Sequence, residues 1–279
     1  MNHRLAAGMA VAILCAVGAS AQEESAGDAK EILKKGLETS AAAGGFTFTG
    51  SVDQESPFGG VMVVGGGPSM SIGPEGKCTG TLGADGMVHV RLEKDKNSFE
   101  LFKKGSKSVH KQVWKGQQIP AGTFAAEAAA AFDLAKLAKA AAKSKDAKRE
   151  AGDKKVGETD CVAIKVTLTA DIVEPEESPE GAAMEFKMFE LKRVEATLYF
   201  GKDDNLLRQA EFKFVKGFNA AIAMAGGAGG GDDEDEDDED GGGMGIKSSF
   251  STTFKLTPGA YSKTSAVTVP DDVKGLLKD

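Results

Sequence analysis

The chain has 279 residues, with 34 Lys plus Arg against 42 Asp plus Glu, a formal net charge of −8 and 41% apolar residues. Chains of this length bury roughly 75% of their unfolded surface, so one large core forms without a metal or disulfide network. The acid excess argues against general nucleic-acid binding, which needs Lys and Arg to displace counterions from phosphates.

His3 and Arg4 precede an apolar run, Leu5 to Val17, that ends in the small residues Gly18-Ala19-Ser20-Ala21 before Gln22. This is the pattern of a secretory leader over 1–21, cleaved near Ala21-Gln22, and it predicts a periplasmic or otherwise extracytoplasmic protein. The run falls short of the roughly 20 apolar residues that span a bilayer. Cys15 follows Leu14, which is not a small residue, so Cys15 reads as a discarded leader residue rather than a lipid attachment point. Beyond the leader, residues 22–279 read as a single domain with two cysteines, Cys78 and Cys161, 83 positions apart. They form either a disulfide, possible in an oxidising compartment, or two unpaired core thiols.

Ile32, Leu33, Leu37 and Ala41 recur at helical spacing over 28–43, and Gly44-Gly45 ends the helix. The pattern then switches to period two, with Phe46, Phe48 and Val52 on one face. Residues 56–76 are rich in Gly and Pro around Val61 to Val64, a flexible loop or a weakly specified strand pair. Cys78 to Leu82 and Met87 to Glu93 flank Gly83-Ala84-Asp85-Gly86, a hairpin signal that puts Val88, Val90 and Leu92 on one face. Strands follow at Ser98 to Lys103 and Lys107 to Trp114. Thr123 is placed to cap one long Ala-rich helix, Phe124 to Lys143, and Asp146 to Lys155 reads as a charged linker.

The second half predicts strands. Val162 to Ile172 alternates over eleven residues, and Met184 to Phe200 and Leu206 to Phe218 form a hairpin about Gly201-Lys202-Asp203-Asp204-Asn205. Ile246 to Thr257 carries Phe250, Phe254 and Leu256 on one face, and Asp271-Asp272 can cap a short helix through Leu277. Between them, Asp232 to Asp240 is an unbroken run of nine acids flanked by glycines, which predicts a disordered loop over 226–245. Its partial EF-hand spacing fails where the bidentate Glu should stand, at Lys247. Lys94, Lys96, Lys103, Lys104, Lys107, Lys111 and Lys115 form either the solvated face of a sheet or a patch for anionic head groups or an acidic partner. Eight to eleven antiparallel strands with two helices predict an α+β fold. Its sheet is strongly curved, an open half-barrel with helices covering the concave face.

Catalytic signatures are missing. The sequence contains no G-x-S-x-G, H-E-x-x-H or C-x-x-C, and His89 and His110 lie in strands whose neighbours look solvent-facing. No metal, cofactor or enzymatic activity is expected.

The order of elements resembles the periplasmic lipoprotein carriers of LolA type and the related LppX and LprG lipid-binding lipoproteins. The likeness rests on the leader, the helix with Ile32-Leu33 and Leu37, and the opening strand Phe46-Thr47-Phe48-Thr49-Gly50. The hairpin about Asp85-Gly86, the Gly201-to-Arg208 turn and the close Val267-Thr268-Val269-Pro270-Asp271-Asp272 add to it. The family's Pro-Gly-Arg/Lys-Phe-Arg-Trp-type run has no counterpart here, so no cargo-binding Arg is carried over. The resemblance implies an unclosed sheet whose concave face holds acyl chains, and therefore a soluble, monomeric carrier of lipid or lipoprotein acyl chains. The lining expected for such a cavity is Phe46, Phe48, Val88, Val90, Leu92, Val162, Ile164, Val166, Phe212, Phe214, Phe250 and Phe254. An Ala-rich helix is expected to leave part of the hollow unfilled. The other function considered is an interaction or stress-sensing module on the same fold, binding an envelope membrane protein without carrying lipid.

Overall fold

The computed structural model describes residues 28–55, 61–62, 70–71, 75–105, 107–114, 116–119, 122–144, 146–173, 189–218 and 249–277. The expected leader, the acidic loop at 226–245 and the side chain of Thr123 lie outside the described residues. Helix α1 spans 28–43 as its spacing predicts. Strands β1 (Gly45–Glu55), β4 (Gly76–Leu82), β5 (Val88–Lys94), β6 (Asn97–Lys104), β7 (Lys107–Trp114) and β8 (Gln117–Ile119) follow, with β2 (Val61–Met62) and β3 (Met70–Ser71) paired as a separate arm.

The Ala-rich segment is two helices rather than one, α2 (Gly122–Phe132) and α3 (Leu134–Lys143). Asp133 breaks it: its carboxylate oxygen accepts the Lys136 amide at 2.9 Å, capping α3 afresh. The expected charged linker is instead two edge strands, β9 (Lys148–Arg149) and β10 (Lys154–Val156), which take up the open edge of β11 (Thr159–Leu168). β11 stops at Leu168, and Ala170–Ile172 is a 3₁₀ turn instead of more strand. β12 (Phe189–Gly201), β13 (Leu207–Phe218) and β14 (Ser249–Ser262) complete the sheet, and α4 (Asp271–Lys274) ends it, with Pro270 rather than an Asp at its N-cap. β14 runs past the expected stop at Thr257. A register slip there pairs Phe48 with Pro258 and Phe46 with Tyr261, which lets the strand absorb the Pro-Gly pair.

The main sheet has twelve antiparallel strands, ordered β10-β11-β12-β13-β14-β1-β4-β5-β6-β7-β8 with β9 beside β11, and its two ends do not meet. Its curvature follows from contacts. Phe124 of α2 touches both Phe99 of β6, at 4.8 Å between ring centres, and Phe254 of β14, at 5.5 Å. Glu127 of the same helix reaches Lys216 of β13. β6 and β13 stand five strand steps apart, roughly 24 Å on a flat sheet, and a helix about 10 Å wide cannot span that. The sheet curls around α2.

α1 is held across one end of the curl by fitted contacts. A β-carbon at Gly36 would fall 2.3 Å from the Phe200 ring, so glycine lets the helix sit directly on that buried aromatic. Ser40 donates to the Gly36 carbonyl at 2.7 Å and accepts the Leu207 amide at 2.8 Å, and Tyr261 donates to the Leu207 carbonyl at 2.9 Å. Register slips at Phe200/Leu207, so these bonds satisfy main-chain groups beside a bulge.

Cys78 and Cys161 are both buried and free. The possible disulfide is not made, for a geometric reason. Cys78 pairs across from Gly50 on the concave register, whereas Cys161 lies five strands away, on the face opposite Val162 and Phe200. Burial pushes the Cys78 thiol up to about 11 and the Tyr261 phenol up to about 12.

Two outcomes follow. Gly36→Ala should lower stability by about 1–3 kcal/mol in urea titrations, because overpacking against Phe200 outweighs the gain of about 1 kcal/mol in helix propensity. Cys78 and Tyr261 both hold their protons more tightly when folded. Their contribution to stability should therefore be intact below the ordinary values of 9.0 and 10.0 and be lost as pH rises through about 11 and 12. Urea midpoints between pH 7 and 12 read the loss, and alkylation of Cys78 should require unfolding at pH 8.

Candidate functional site

α2 fills the hollow of the sheet. Residues 124–132 are all buried, an environment that suits a helix apolar on every side. Phe132 stacks on Phe48 at 4.4 Å, and Phe254 meets Phe214 edge-on at 5.6 Å. Between the two phenylalanines of the helix, Ala125, Ala126 and Ala128 to Ala131 bring its backbone close to the strands. Small side chains were expected to leave space. Here they let the helix sink instead, and packing is restored by proximity.

One charge enters this interior. Glu127 and Lys216 are 2% and 5% exposed and pair at 2.7 Å, with Lys216 also 3.3 Å from the Thr252 hydroxyl. Among the described residues the second Glu127 oxygen has no hydrogen-bond partner. A buried pair of this kind adds little net stability, but removing one partner leaves a desolvated charge behind. It fixes where along the sheet the helix sits.

Where α2 ends, the packing opens. A half-open cleft of about 320 Å³ is walled by Ala41 of α1 and Gly44 just beyond it, the β4–β5 turn from Leu82 to Gly86, Val88, Lys103, Gly105 and the α2–α3 junction Phe132-Asp133-Leu134. The turn is shaped by Asp85, which accepts the Met87 amide at 3.1 Å, and by Gly86 with φ of +79°. Leu82, Val88, Phe132 and Leu134 give the cleft an apolar floor; Asp85 and the Lys103–Asp133 pair, at 3.7 Å, stand at its rim. Among the described residues, no nucleophile and base are juxtaposed here. His89 lies on the outer face, bound to Glu100 at 2.9 Å and stacked on Phe102. Chemically the cleft can take up an apolar chain and engage a polar head at its rim.

Of the expected lining residues, Val88 borders this cleft. Phe46, Phe48, Val90, Leu92, Ile164, Val166, Phe212, Phe214 and Phe254 lie buried in the core cluster formed by sheet and helices, with Val162 half-buried at its margin. Phe250 is buried across from Lys216, at the far end of β14. The sequence reading missed Ala41, Leu82, Phe132, Asp133 and Leu134 as cleft residues, and Glu127, Lys216 and Thr252 as a buried polar cluster. One signal was available: Phe212, Phe214 and Lys216 share a strand register, so Lys216 is a lone charge on an apolar face.

Glu127→Ala or Lys216→Met alone should cost about 3–5 kcal/mol, while Glu127→Leu with Lys216→Met should recover most of it. Denaturant titrations of the three variants read the coupling directly.

No family model and no curated protein matches the chain. Among solved structures it is similar to LprF from Mycobacterium bovis, at 12% identity, covering 88% of this chain and 96% of that one, with a TM-score of 0.38. It is similar to the lipoprotein LppX of Mycobacterium tuberculosis at 11% identity, covering 85% and 98%, with a TM-score of 0.33. A LolA superfamily protein from Nitrosomonas europaea matches at 11% identity, covering 88% and 96%, with a TM-score of 0.25. These are the groups that the element order of the sequence resembles, and at such superposition the likeness carries no argument about ligand or activity.

Proposed function

We propose that the protein binds lipid or lipoprotein acyl chains at the cleft and carries them outside the cytoplasm, as a binding protein rather than an enzyme. The observation that supports this is the position of the cleft. It opens where α2 ends, onto the same apolar concave surface that α2 covers, and its floor is aliphatic and aromatic. A volume of about 320 Å³ is at the small end for ligand pockets, so a long chain extends inward only as α2 and α3 shift about Asp133. Each CH₂ removed from water contributes about 0.8 kcal/mol toward that shift. The twelve residues expected as lining serve in this reading as the surface uncovered by α2.

The filled hollow favours a second reading, an interaction module for an envelope membrane protein in which the helices never leave the sheet. Ala41→Trp separates the two. Ala41 is exposed on α1 yet walls the cleft, so the indole should block the mouth with little change in melting temperature. The carrier reading expects the native protein to take up a fluorescent fatty acid and Ala41→Trp to bind it at least about tenfold more weakly. Absence of uptake by the native protein would leave the interaction module.

A further inference from the structure

Lysines gather on the elements around the cleft. Lys103 stands at its rim; Lys104 and Lys107 pair across the β6–β7 hairpin that carries its Gly105 wall. On the opposite wall, Lys136 donates its backbone amide to Asp133, and Lys139 is exposed one turn further along α3. Lys263 follows the Ser262 peptide that packs against Gly44. Helix α3, Leu-Ala-Lys-Leu-Ala-Lys-Ala-Ala-Ala-Lys, has no acid at all, and it buries Leu134, Leu137 and Ala141 so that its lysines face outward. Among the described residues, the charged groups lining the cleft itself are Asp85, Asp133 and Lys103; the lysine excess lies beside it, on the β6–β7 hairpin and the outer face of α3.

This local excess runs against the charge of the whole chain, −8. The nine acids from Asp232 to Asp240 belong to the connection between Phe218 of β13 and Ser249 of β14. Those strand ends are remote from the cleft, because the other end of β13, Leu207, is bound to Ser40 beside the cleft residue Ala41. Twelve strand residues at about 3.3 Å each separate the two ends by roughly 36 Å, several Debye lengths at physiological salt.

We propose that the lysine-rich end, formed by the β6–β7 hairpin and the outer face of α3, docks on a bilayer surface bearing anionic phospholipid head groups. Docking there presents the cleft mouth to the membrane, at the end of the sheet remote from Phe218 and Ser249. A cluster of Lys beside an amphipathic helix is the pattern that meets such a surface. An apolar cleft beside these lysines distinguishes this from a surface for an acidic protein, which needs no such opening. The inference rests on the acyl-binding reading for the purpose of docking, but its charge argument is independent of it.

Co-sedimentation of the full chain with vesicles tests it, using phosphatidylcholine alone and phosphatidylcholine with 30% phosphatidylglycerol as about-physiological head-group mixtures. The expected result is stronger binding to the anionic vesicles, reversed by 0.5 M salt as screening at about 4 Å requires. Lys104→Glu with Lys107→Glu should weaken that binding about tenfold or more, and Lys154→Glu with Lys155→Glu, on the β10 edge, should leave it unchanged. Equal binding to both vesicles, or equal loss in the two charge-reversed variants, would overturn the docking proposal. Fatty-acid uptake by the same proteins is read separately, so a protein that takes up the probe but ignores anionic vesicles refutes docking alone, and the reverse result refutes acyl binding alone.

Discussion

The structure depends on how closely a helix can approach a curled sheet. A twelve-stranded sheet that does not close leaves a concave apolar face too wide for its own side chains to fill. α2 fills it with its backbone, which alanine allows and larger residues would prevent. Between the two anchoring aromatics, Phe124 and Phe132, every residue is small except Glu127. That exception gives the packing a register. A smooth alanine surface could slide along the strands at little cost, whereas a carboxylate opposite Lys216 has one favourable position, and away from it two charges would be buried unpaired.

The same constraint explains why the cleft is where it is. Asp133 caps α3 through its own side chain, so the chain must turn there, and the helix that fills the hollow stops short of the mouth. α1 closes the neighbouring sector, held by the Gly36–Phe200 approach and the Ser40–Leu207–Tyr261 bonds. Neither helix reaches the space between Leu82, Val88 and Lys103. The opening is a consequence of where two helices end.

Much of the sheet was legible because period-two alternation in Val, Phe and Leu is a strong signal. β5, β7 and the β12–β13 hairpin lie within a residue or so of their expected places wherever described. Signals weaker than tertiary demand were misread. Lys148–Arg149 and Lys154–Val156 carry no apolar pattern, and they are strands because the edge of β11 needs partners. The Ala-rich run read as one helix because propensity is nearly uniform along it. The single Asp that divides it is a cap only once the fold gives the chain somewhere else to go. Most of the residues expected as lining lie in the core cluster between sheet and helices. What the sequence could not show is that the face is covered, since whether alanine means a void or a close approach depends on the distance between elements.

That distinction sets the energetics of any ligand that reaches the hollow. Under the proposed acyl-binding function, a chain entering past the cleft would not fill empty space but replace contacts that α2 already makes. Its apparent affinity is therefore the intrinsic affinity for the uncovered sheet reduced by the fraction of molecules in which α2 has moved. If that fraction were about one in a hundred, affinity would fall about a hundredfold, or roughly 2.7 kcal/mol. A chain of sixteen carbons offers roughly 13 kcal/mol before ordering costs, at about 0.8 kcal/mol per CH₂, so occupancy remains favourable. On that reading, a helix competing for the site would also speed the ligand's departure, because it would stay tethered at Asp133. An open hollow would hold its ligand more tightly and expose a large apolar surface to water whenever it was empty. For the carrier proposed above, which would have to release what it binds, a covered hollow with a small open mouth would permit both uptake and release.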